Sequence, residues 1–275
     1  MIKLIASDMD GTFLDEKGSF NKKRFNKILE KMESRGMIFV VASGNRMDRL
    51  ELIFSGMEDQ FGYVAENGAL VIDKNEVLAQ KIIKEDLIDQ LLAYFEGYHK
   101  SYCLTLSGLK GTYVVNGVTF DSENSAISIE EMEHFFQQLI FLEDFKDRPK
   151  DAITKVTLMV DKDTAESISW DFNQYFQGNL RAVTSGFGAV DIVRMDVHKA
   201  LGLQLFMDKY DISRDQVAAF GDGSNDIEML QLAKYSFAMG NAPQNIKDLA
   251  VYEAPNNTDD GVLKIMEAIL EGEFQ

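Results

Sequence analysis

The chain has 275 residues, 45% of them apolar, and a formal net charge of −17 at pH 7. This length predicts either one large α/β unit or two domains, and the apolar share is enough to bury a full core. The excess of acidic residues argues against a nucleic-acid-binding surface and against a basic membrane-binding face, so we expect neither partner.

The single cysteine, Cys103, allows no internal disulfide, and strand-like residues follow Met1 directly, without a signal-peptide pattern. No apolar stretch approaches the ~18–20 residues that cross a bilayer. We therefore expect a soluble, cytoplasmic protein that is a monomer or a weak homodimer.

Short apolar runs alternate with amphipathic stretches of helical period along the first part of the chain. Residues 2–6 predict a strand, and apolar residues at helical spacing between positions 25 and 32 predict a helix. The continuous apolar run "MIFVVA" (residues 37–42) predicts a strand of a parallel sheet that is covered on both faces. "YVAENGALV" (residues 63–71) predicts a third strand and a turn at Asn67-Gly68.

The regular alternation of apolar runs and amphipathic stretches changes between residues 83 and 193, and no cluster of catalytic residues stands out there. This segment predicts helices over residues 84–95 and 165–176, and strands over residues 102–106, 112–115 and 153–160. The first pattern then resumes, with strands over 217–220 and 235–240 and helices that start at His198, pass through Met229 and cover 262–270. We predict an α/β core with a parallel sheet, formed by residues 1–82 and 194–275, and an inserted α+β domain over residues 83–193.

Polar residues stand at the points where the core strands end. Asp8 and Asp10 follow the first strand, Ser43-Gly44 the second, residues 66–68 the third, and "GDGSND" (residues 221–226) the strand over 217–220. Because ligands of open parallel sheets bind beyond the carboxyl ends of the strands, we expect these residues to form one site.

Four carboxylates of this group, those of Asp8, Asp10, Asp222 and Asp226, would converge on one edge of the sheet. Like charges at short range disfavour joint ionisation, so this crowding requires a cation. Oxygen ligands are the preference of Mg²⁺, which is therefore the expected cofactor. Lys199, at the start of a predicted helix, is the nearby cationic side chain.

Each element also has a purely structural explanation. A D-x-D pair at a strand end is often only a turn, Ser-Gly is often a helix N-cap, and a lysine in the first turn of a helix is usually solvated. The "GDGSND" loop lacks the further acidic ligands of a calcium loop. The combination favours a catalytic site, whereas isolated side chains are interpreted as packing or surface residues: His99, His134, Cys103 and Trp170.

The same stretches resemble the four motifs of the haloacid dehalogenase (HAD) superfamily. "DMDGTFLD" (residues 8–15) is similar to the first motif, "VVASG" (40–44) to the second, the lysine of "HKALG" (198–202) to the third and "GDGSNDIEML" (221–230) to the fourth. The large insert between the second and third motifs resembles the C2-type cap of Cof-like phosphatases in subfamily IIB.

This resemblance implies a Rossmann-like HAD core at residues 1–82 and 194–275 and a cap at 83–193 that acts as a lid and sets substrate specificity. "SGN" (residues 43–45) and "VTSGFGAVDIV" (residues 183–193) resemble the bacterial sugar phosphatases of this branch.

The resemblance also implies a role for each matching acid. Asp8 would attack phosphorus and form an aspartyl-phosphate. Asp10 would act first as an acid and then as a base, which requires a carboxyl that is protonated at first. Asp8, the backbone carbonyl of Asp10, Asp222 and, through water, Asp226 would hold Mg²⁺.

The phosphate-binding residues implied by the resemblance come from three motifs and are Ser43, Gly44, Asn45, Asn225 and Lys199. Lys199 would also offset the negative charge of the acids, as a catalytic residue. Asn45 stands where most relatives have an arginine, and Arg46 is adjacent to it.

The implied function is Mg²⁺-dependent hydrolysis of phosphate monoesters of small metabolites, with sugar phosphates as the preferred substrates. The alternatives are a phosphatase of pyridoxal phosphate or flavin mononucleotide, a phosphosugar mutase, and a non-catalytic ligand-sensing protein on the same fold. The presence of both Asp8 and Asp10 favours a phosphatase over a dehalogenase and over a binding protein.

Overall fold

The computed structural model describes residues 1–118, 136–185 and 188–274. His134 and residues 186–187 of the "VTSGFGAVDIV" stretch lie outside the described residues. The chain divides into two compact units, one formed by Met1–Ala79 with His198–Gln275 and the other by Gln80–Val197. The predicted domain boundaries, 82/83 and 193/194, lie close to these divisions but not at them.

The strands of the described residues, in chain order, are β1 Leu4–Ser7, β2 Ile38–Ala42, β3 Gly62–Ala65, β4 Leu70–Asp73, β5 Glu76–Gln80, β6 Thr105–Gly108, β7 Thr112–Val115, β8 Leu139–Leu142, β9 Ile153–Met159, β10 Leu180–Thr184, β11 Ala189–Arg194, β12 Val217–Gly221, β13 Tyr235–Met239 and β14 Tyr252–Ala254. The helices are α1 Lys22–Ser34, α2 Met47–Ile53, α3 Glu85–Tyr94, α4 Lys162–Tyr175, α5 Lys199–Lys209, α6 Ile227–Leu232, α7 Gln244–Lys247 and α8 Gly261–Glu271.

The first unit is built on an eight-stranded sheet in the order β14-β13-β12-β1-β2-β3-β4-β5. The pairs from β14 to β3 are parallel, and β1 lies between β12 and β2. This confirms the predicted α/β class. The predicted third strand, β3, and the predicted turn at Asn67-Gly68 are both present, with φ 57° at Asn67 and 101° at Gly68. The turn reverses the chain, so the residues after it form a further strand, β4, antiparallel to β3.

The sheet is apolar on both faces because helices cover both. Ile5 and Phe39 pack in one cluster with side chains of α1 and α8. Leu4 and Val40 pack in another cluster with side chains of α5 and α6. All residues of β1 and residues 39–42 of β2 are therefore buried, which explains why the strands read as unbroken apolar runs.

Helix α5 packs unusually close to the sheet because two glycines remove side chains from the contact. A Cβ atom on Gly202 would collide with the Val64 side chain, and one on Gly62 would collide with the Phe206 ring. At the first turn of the helix, His198 Nδ1 accepts a hydrogen bond from the Leu201 amide at 3.1 Å. The close packing places Lys199, the first residue of α5, beside the carboxyl ends of the central strands.

The second unit has a six-stranded sheet in the order β10-β11-β9-β6-β7-β8. Its strand pairs are antiparallel except β7 with β8, which is parallel. Val156 and Ile192 pack with side chains of α3 and α4 in the core of this unit. On the same strands, Lys155 and Asp191 are buried and form an ion pair at 3.0 Å.

The residues interpreted as packing or surface residues behave in this way where they are described. Trp170 is exposed, Cys103 is buried, and His99 Nε2 lies 2.9 Å from the Leu92 carbonyl oxygen. Among residues 1–118, 136–185 and 188–274, no helix has the length and apolar character needed to cross a membrane.

Candidate active site

The turn after β1 brings the first two acids to the carboxyl end of the sheet. Asp8 directly follows β1, and its amide donates to the Phe220 carbonyl oxygen at 3.0 Å. The chain then makes an irregular turn over Met9–Phe13, in which Gly11 has φ +77°. A Cβ atom on Gly11 would lie 2.5 Å from Asp222 Oδ2, so both the backbone angle and the approach of Asp222 require glycine here.

Three of the four predicted metal ligands form one carboxylate cluster. Asp8, Asp222 and Asp226 each offer an oxygen, and these oxygens lie within 4.8 Å of one another. Lys199 Nζ is 2.5 Å from Asp8 Oδ1 and 2.6 Å from Asp226 Oδ1, and its side chain is fully buried. The carboxyl group of Asp10 is not part of this cluster, because it is bound by Asn45 and Arg49.

Three carboxylates face one ammonium in this cluster, so the fully ionised cluster has an excess of negative charge, which adds to the effect of burial on its pKa values. Burial raises the pKa of the Asp8 carboxyl well above its ordinary value, although Lys199 lowers it and the charges of Asp226 and Asp222 add to the increase. Burial, with the charge of Asp226, raises the pKa of Asp222 to about 6. Burial alone would lower the pKa of Lys199, but the charges of Asp226 and Asp8 outweigh it and raise that pKa. A further cation would relieve this imbalance.

Hydrogen bonds fix the orientation of the cluster carboxyls. Asp226 Oδ2 accepts from the amides of Asp222 and Gly223 at 3.0 and 2.9 Å. The Thr12 hydroxyl donates to Asp222 Oδ1 at 2.7 Å. The sequence analysis assigns no hydrogen bond to Thr12, although Thr12 lies in the first motif, "DMDGTFLD" (residues 8–15).

The predicted phosphate-binding residues Ser43 and Asn225 are both buried, and each forms a hydrogen bond with an asparagine. Ser43 Oγ accepts from the backbone amide and from Nδ2 of Asn45, at 3.1 and 2.9 Å. A hydroxyl has two acceptor positions and one hydrogen, so these bonds direct the Ser43 hydrogen to another acceptor. Asn225 Nδ2 donates to Asn67 Oδ1 at 3.1 Å, a contact that the sequence did not predict. Gly44 lies between Ser43 and Asn45 at the end of β2.

Asp10 is bound by an arginine that sequence reasoning missed. Arg49 Nη1 donates to Asp10 Oδ2 at 2.8 Å and Nη2 donates to Oδ1 at 2.9 Å, while Asn45 Nδ2 donates to Oδ2 at 2.6 Å. Burial alone would raise the pKa of Asp10, but the charge and hydrogen bonds of Arg49, with the bond from Asn45, lower it below its ordinary value. The carboxyl is thus ionised in the absence of substrate, whereas the resemblance implies a carboxyl that is protonated at first.

Arg46, the arginine adjacent to Asn45, points elsewhere. Its Nε lies 3.2 Å from Asp48 Oδ1 and its Nη1 lies 3.8 Å from Glu66 Oε1. The guanidinium that binds Asp10 belongs to Arg49 in α2, about one helical turn after Arg46. In the sequence, this contact is indicated only by the presence of a second arginine one helical turn after the first.

Comparison with known proteins gives a consistent result over the whole chain. A family model described as haloacid dehalogenase-like hydrolase matches residues 5–266. The 5-amino-6-(5-phospho-D-ribitylamino)uracil phosphatase YbjI of Escherichia coli is 30% identical over 276 residues, which cover 99% of this chain and 97% of the relative.

Solved structures of similar proteins share the fold. A crystal structure of a Streptococcus mutans protein has a TM-score of 0.87 and 35% identity, and covers 99% of this chain and 100% of the other. A HAD subclass IIB sugar phosphatase, BT4131, has a TM-score of 0.76 at 18% identity, with 97% and 98% of the two chains covered. The chain belongs to the haloacid dehalogenase-like hydrolases, and it is a phosphoric monoester hydrolase.

Proposed function

We propose that this phosphatase requires Mg²⁺ and hydrolyses phosphate monoesters of small polyhydroxylated metabolites, sugar phosphates above all, through an aspartyl-phosphate on Asp8. The observation that carries the proposal is the buried cluster of Asp8, Asp222 and Asp226 around Lys199, with a separately held carboxyl at Asp10. Two acids in different surroundings suit two different roles, one as nucleophile and one in proton transfer.

The donor set fits Mg²⁺. It offers oxygen atoms only, and they lie within 4.8 Å of one another. Burial and repulsion between the acids raise the pKa values of Asp8 and Asp222, and a bound cation would oppose this effect. Asp8, the backbone carbonyl of Asp10 and Asp222 would hold the ion, with Asp226 acting through water. When bound, Mg²⁺ supplies positive charge that neutralises the phosphate oxygens and polarises phosphorus.

Asp8 attacks phosphorus in this proposal. The Lys199 ammonium, 2.5 Å from Asp8 Oδ1, orients the carboxylate and stabilises its negative charge. Attack forms the bond from Asp8 to phosphorus and breaks the bond to the leaving oxygen, so one slow hydrolysis becomes two faster steps.

The neighbouring polar groups bind the phosphoryl oxygens as charge spreads over them. The Ser43 hydroxyl hydrogen is available for this, since Asn45 occupies the acceptor positions of that hydroxyl. The Gly44 amide and the Asn225 side chain complete the set, and Lys199 balances the remaining charge.

Asp10 carries the proton in both steps. In the first step it gives a proton to the leaving oxygen, and in the second it takes one from the water that attacks the aspartyl-phosphate. The second role matches the ionised state in which Arg49 holds the carboxyl without substrate.

We assign the choice of substrate to the inserted segment, residues 83–193, because the motifs around Asp8 contain no group shaped for a sugar. The E. coli relative is named for a phosphorylated ribityl compound, and the subclass IIB neighbour is named a sugar phosphatase. Both names favour a phosphorylated, polyhydroxylated carbon chain. The single cysteine favours a reducing compartment, and we propose the cytoplasm as the location.

The test is the exchange Asp8→Asn, measured with Mg²⁺ on p-nitrophenyl phosphate and a panel of phosphorylated metabolites. We expect turnover to disappear while the melting temperature stays close to that of the wild type, since the amide is nearly isosteric but a very poor nucleophile. Asp15→Asn is the matched control, because the Asp15 carboxyl accepts hydrogen bonds from the turn amides of Lys17 and Ser19. Activity of Asp8→Asn within roughly tenfold of the wild type would remove Asp8 from this role.

A further inference from the structure

The carboxyl of Asp10 accepts three hydrogen bonds from two residues. Asn45 directly follows the second motif, and Arg49 lies in helix α2. Arg49 forms a two-pronged pair with it, at 2.8 and 2.9 Å, and Asn45 adds a bond to Oδ2 at 2.6 Å. Both partners are largely shielded from water, with 17% of the Arg49 side chain and 25% of the Asp10 side chain exposed. A bidentate guanidinium–carboxylate pair fixes geometry as well as charge.

The three bonds distinguish the two oxygens of Asp10. Oδ2 accepts from both Arg49 and Asn45, which fills its two acceptor positions. Oδ1 accepts from Arg49 Nη2 and retains a second position. The fork therefore fixes the plane of the carboxyl and leaves Oδ1 as the oxygen that can exchange a proton.

Arg49 is itself held by a packed helix. It lies in α2, Met47–Ile53, whose residues Leu50 and Ile53 are buried in the core of the first unit. The neighbouring Arg46 faces Asp48 and Glu66 instead. The guanidinium thus reaches Asp10 from a rigid element, as a group that determines geometry needs to do.

We propose that Arg49 is the positioning residue of Asp10: its guanidinium orients the carboxyl so that Oδ1 passes the proton to and from the reacting oxygens. In the first step Oδ1 takes the proton of the monoanionic phosphate ester, the Asp8–phosphorus bond forms, the phosphorus–leaving-oxygen bond breaks, and the proton moves from Oδ1 to the leaving oxygen. In the second step the water oxygen bonds to phosphorus, the Asp8–phosphorus bond breaks so that phosphate leaves and the Asp8 carboxylate is restored, and a proton of the water moves to Oδ1. This inference rests on the proposed function, and it places the effect of Arg49 on Asp10, not on the phosphate.

The experiment compares two substrates of similar shape, p-nitrophenyl phosphate and phenyl phosphate. The phenolate leaving group is the stronger base and depends more on a donated proton. We expect Arg49→Gln to lower kcat/KM for phenyl phosphate by about 10²-fold, the scale of a misplaced catalytic group, and for p-nitrophenyl phosphate by only about fivefold or less. Arg49→Lys keeps the charge but not the fork, so it should show the same selective loss. Arg46→Gln is the matched control and should leave the ratio of the two substrates unchanged.

A double-mutant cycle shows whether Arg49 acts through Asp10. In the Asp10→Asn background, Arg49→Gln should change kcat/KM for either substrate by less than about threefold, because the group that it positions is already gone. Equal losses on both substrates, or a full additional loss in the Asp10→Asn background, would overturn the inference and leave the proposed function intact. If Arg49→Gln does not fold, Arg49→Lys and the cycle built on it decide in the same way. A wild-type protein that hydrolyses neither ester with Mg²⁺ would overturn the proposed function and this inference together.

Discussion

Gly11 shows how one missing side chain serves the acid cluster. Its φ of +77° disfavours any other residue, and a Cβ atom there would lie 2.5 Å from Asp222 Oδ2. Gly36 offers a matched comparison, since its φ is +65° but a Cβ atom would meet nothing within 4 Å. The two positions therefore separate the cost of backbone strain from the cost of displacing Asp222.

We expect Gly36→Ala to destabilise the protein by about 1–2 kcal/mol from the left-handed backbone, and Gly11→Ala to destabilise it by more because Asp222 must also move. Only Gly11→Ala should also lower kcat, by roughly tenfold or more, because Asp222 must move. Urea unfolding and hydrolysis of p-nitrophenyl phosphate measure the two effects. Full activity of Gly11→Ala would show that the position of Asp222 is not critical.

At the scale of the elements, a buried ion pair joins β9 and β11, and the stability of the second unit should be sensitive to its loss. Lys155 Nζ lies 3.0 Å from Asp191 Oδ1, and the Thr157 hydroxyl donates to the same oxygen at 2.8 Å. Both charged residues are more than nine-tenths buried. Removing one partner takes the opposite charge, 3.0 Å away, from a group that stays buried.

Asp191→Ala should therefore lower the free energy of unfolding of this unit by about 3–5 kcal/mol, whereas replacing both residues, Lys155→Met with Asp191→Leu, should cost much less. Urea unfolding followed by circular dichroism compares the single and double variants. A single variant that loses less than about 1 kcal/mol, the scale of a surface pair, would show that water reaches the pair.

The elements also show what the sequence can predict. The unbroken apolar runs of β1, β2 and β12 predict a sheet that is covered on both faces, and the acids that follow them predict a site at its carboxyl edge. Local pattern does not predict the short helix α2, because three of its seven residues are charged. Local pattern also does not specify which residues distant in sequence come into contact.

The same limit applies to the candidate site. The positions of Asp8, Asp222 and Asp226 could be inferred from motifs, and the structure brings their oxygens together. The contact of Arg49 with Asp10 joins residues 39 apart in sequence, and that of Asn225 with Asn67 joins residues 158 apart. Such pairs depend on tertiary packing, so a chain pattern cannot specify them.

At the scale of the whole molecule, the acid cluster makes stability depend on pH, and the proposed Mg²⁺ site would make it depend on that ion as well. Burial and the charge of Asp226 raise the pKa of Asp222 from 3.8 to about 6 in the folded chain. Between these values the folded chain holds a proton that the unfolded chain has already lost. A rise in pH through this window therefore removes stability, and binding of a cation restores it.

We expect Asp222→Asn to gain stability relative to the wild type as the pH rises from 4 to 7 in EDTA. The amide cannot ionise, and its oxygen can still accept the hydrogen bond from Thr12. Millimolar Mg²⁺ at pH 7 should raise the melting temperature of the wild type but not that of Asp222→Asn. Calorimetric scans at each pH, with EDTA or Mg²⁺, provide the measurement. A difference between the two proteins that is constant with pH, or an equal shift with Mg²⁺, would contradict this account of the cluster.

The position of β1 between β2 and β12 has a consequence for synthesis of the chain. On the ribosome, β2 follows β1 after about 30 residues, but the other edge of β1 stays unpaired until β12 has been made. All of Gln80–Val197 is complete before then. Asp8 emerges nearly two hundred residues ahead of Lys199, so every shorter nascent chain carries the proposed nucleophile without its cation. The cluster of Asp8, Lys199 and Asp226 therefore cannot form until the chain has been made as far as Asp226.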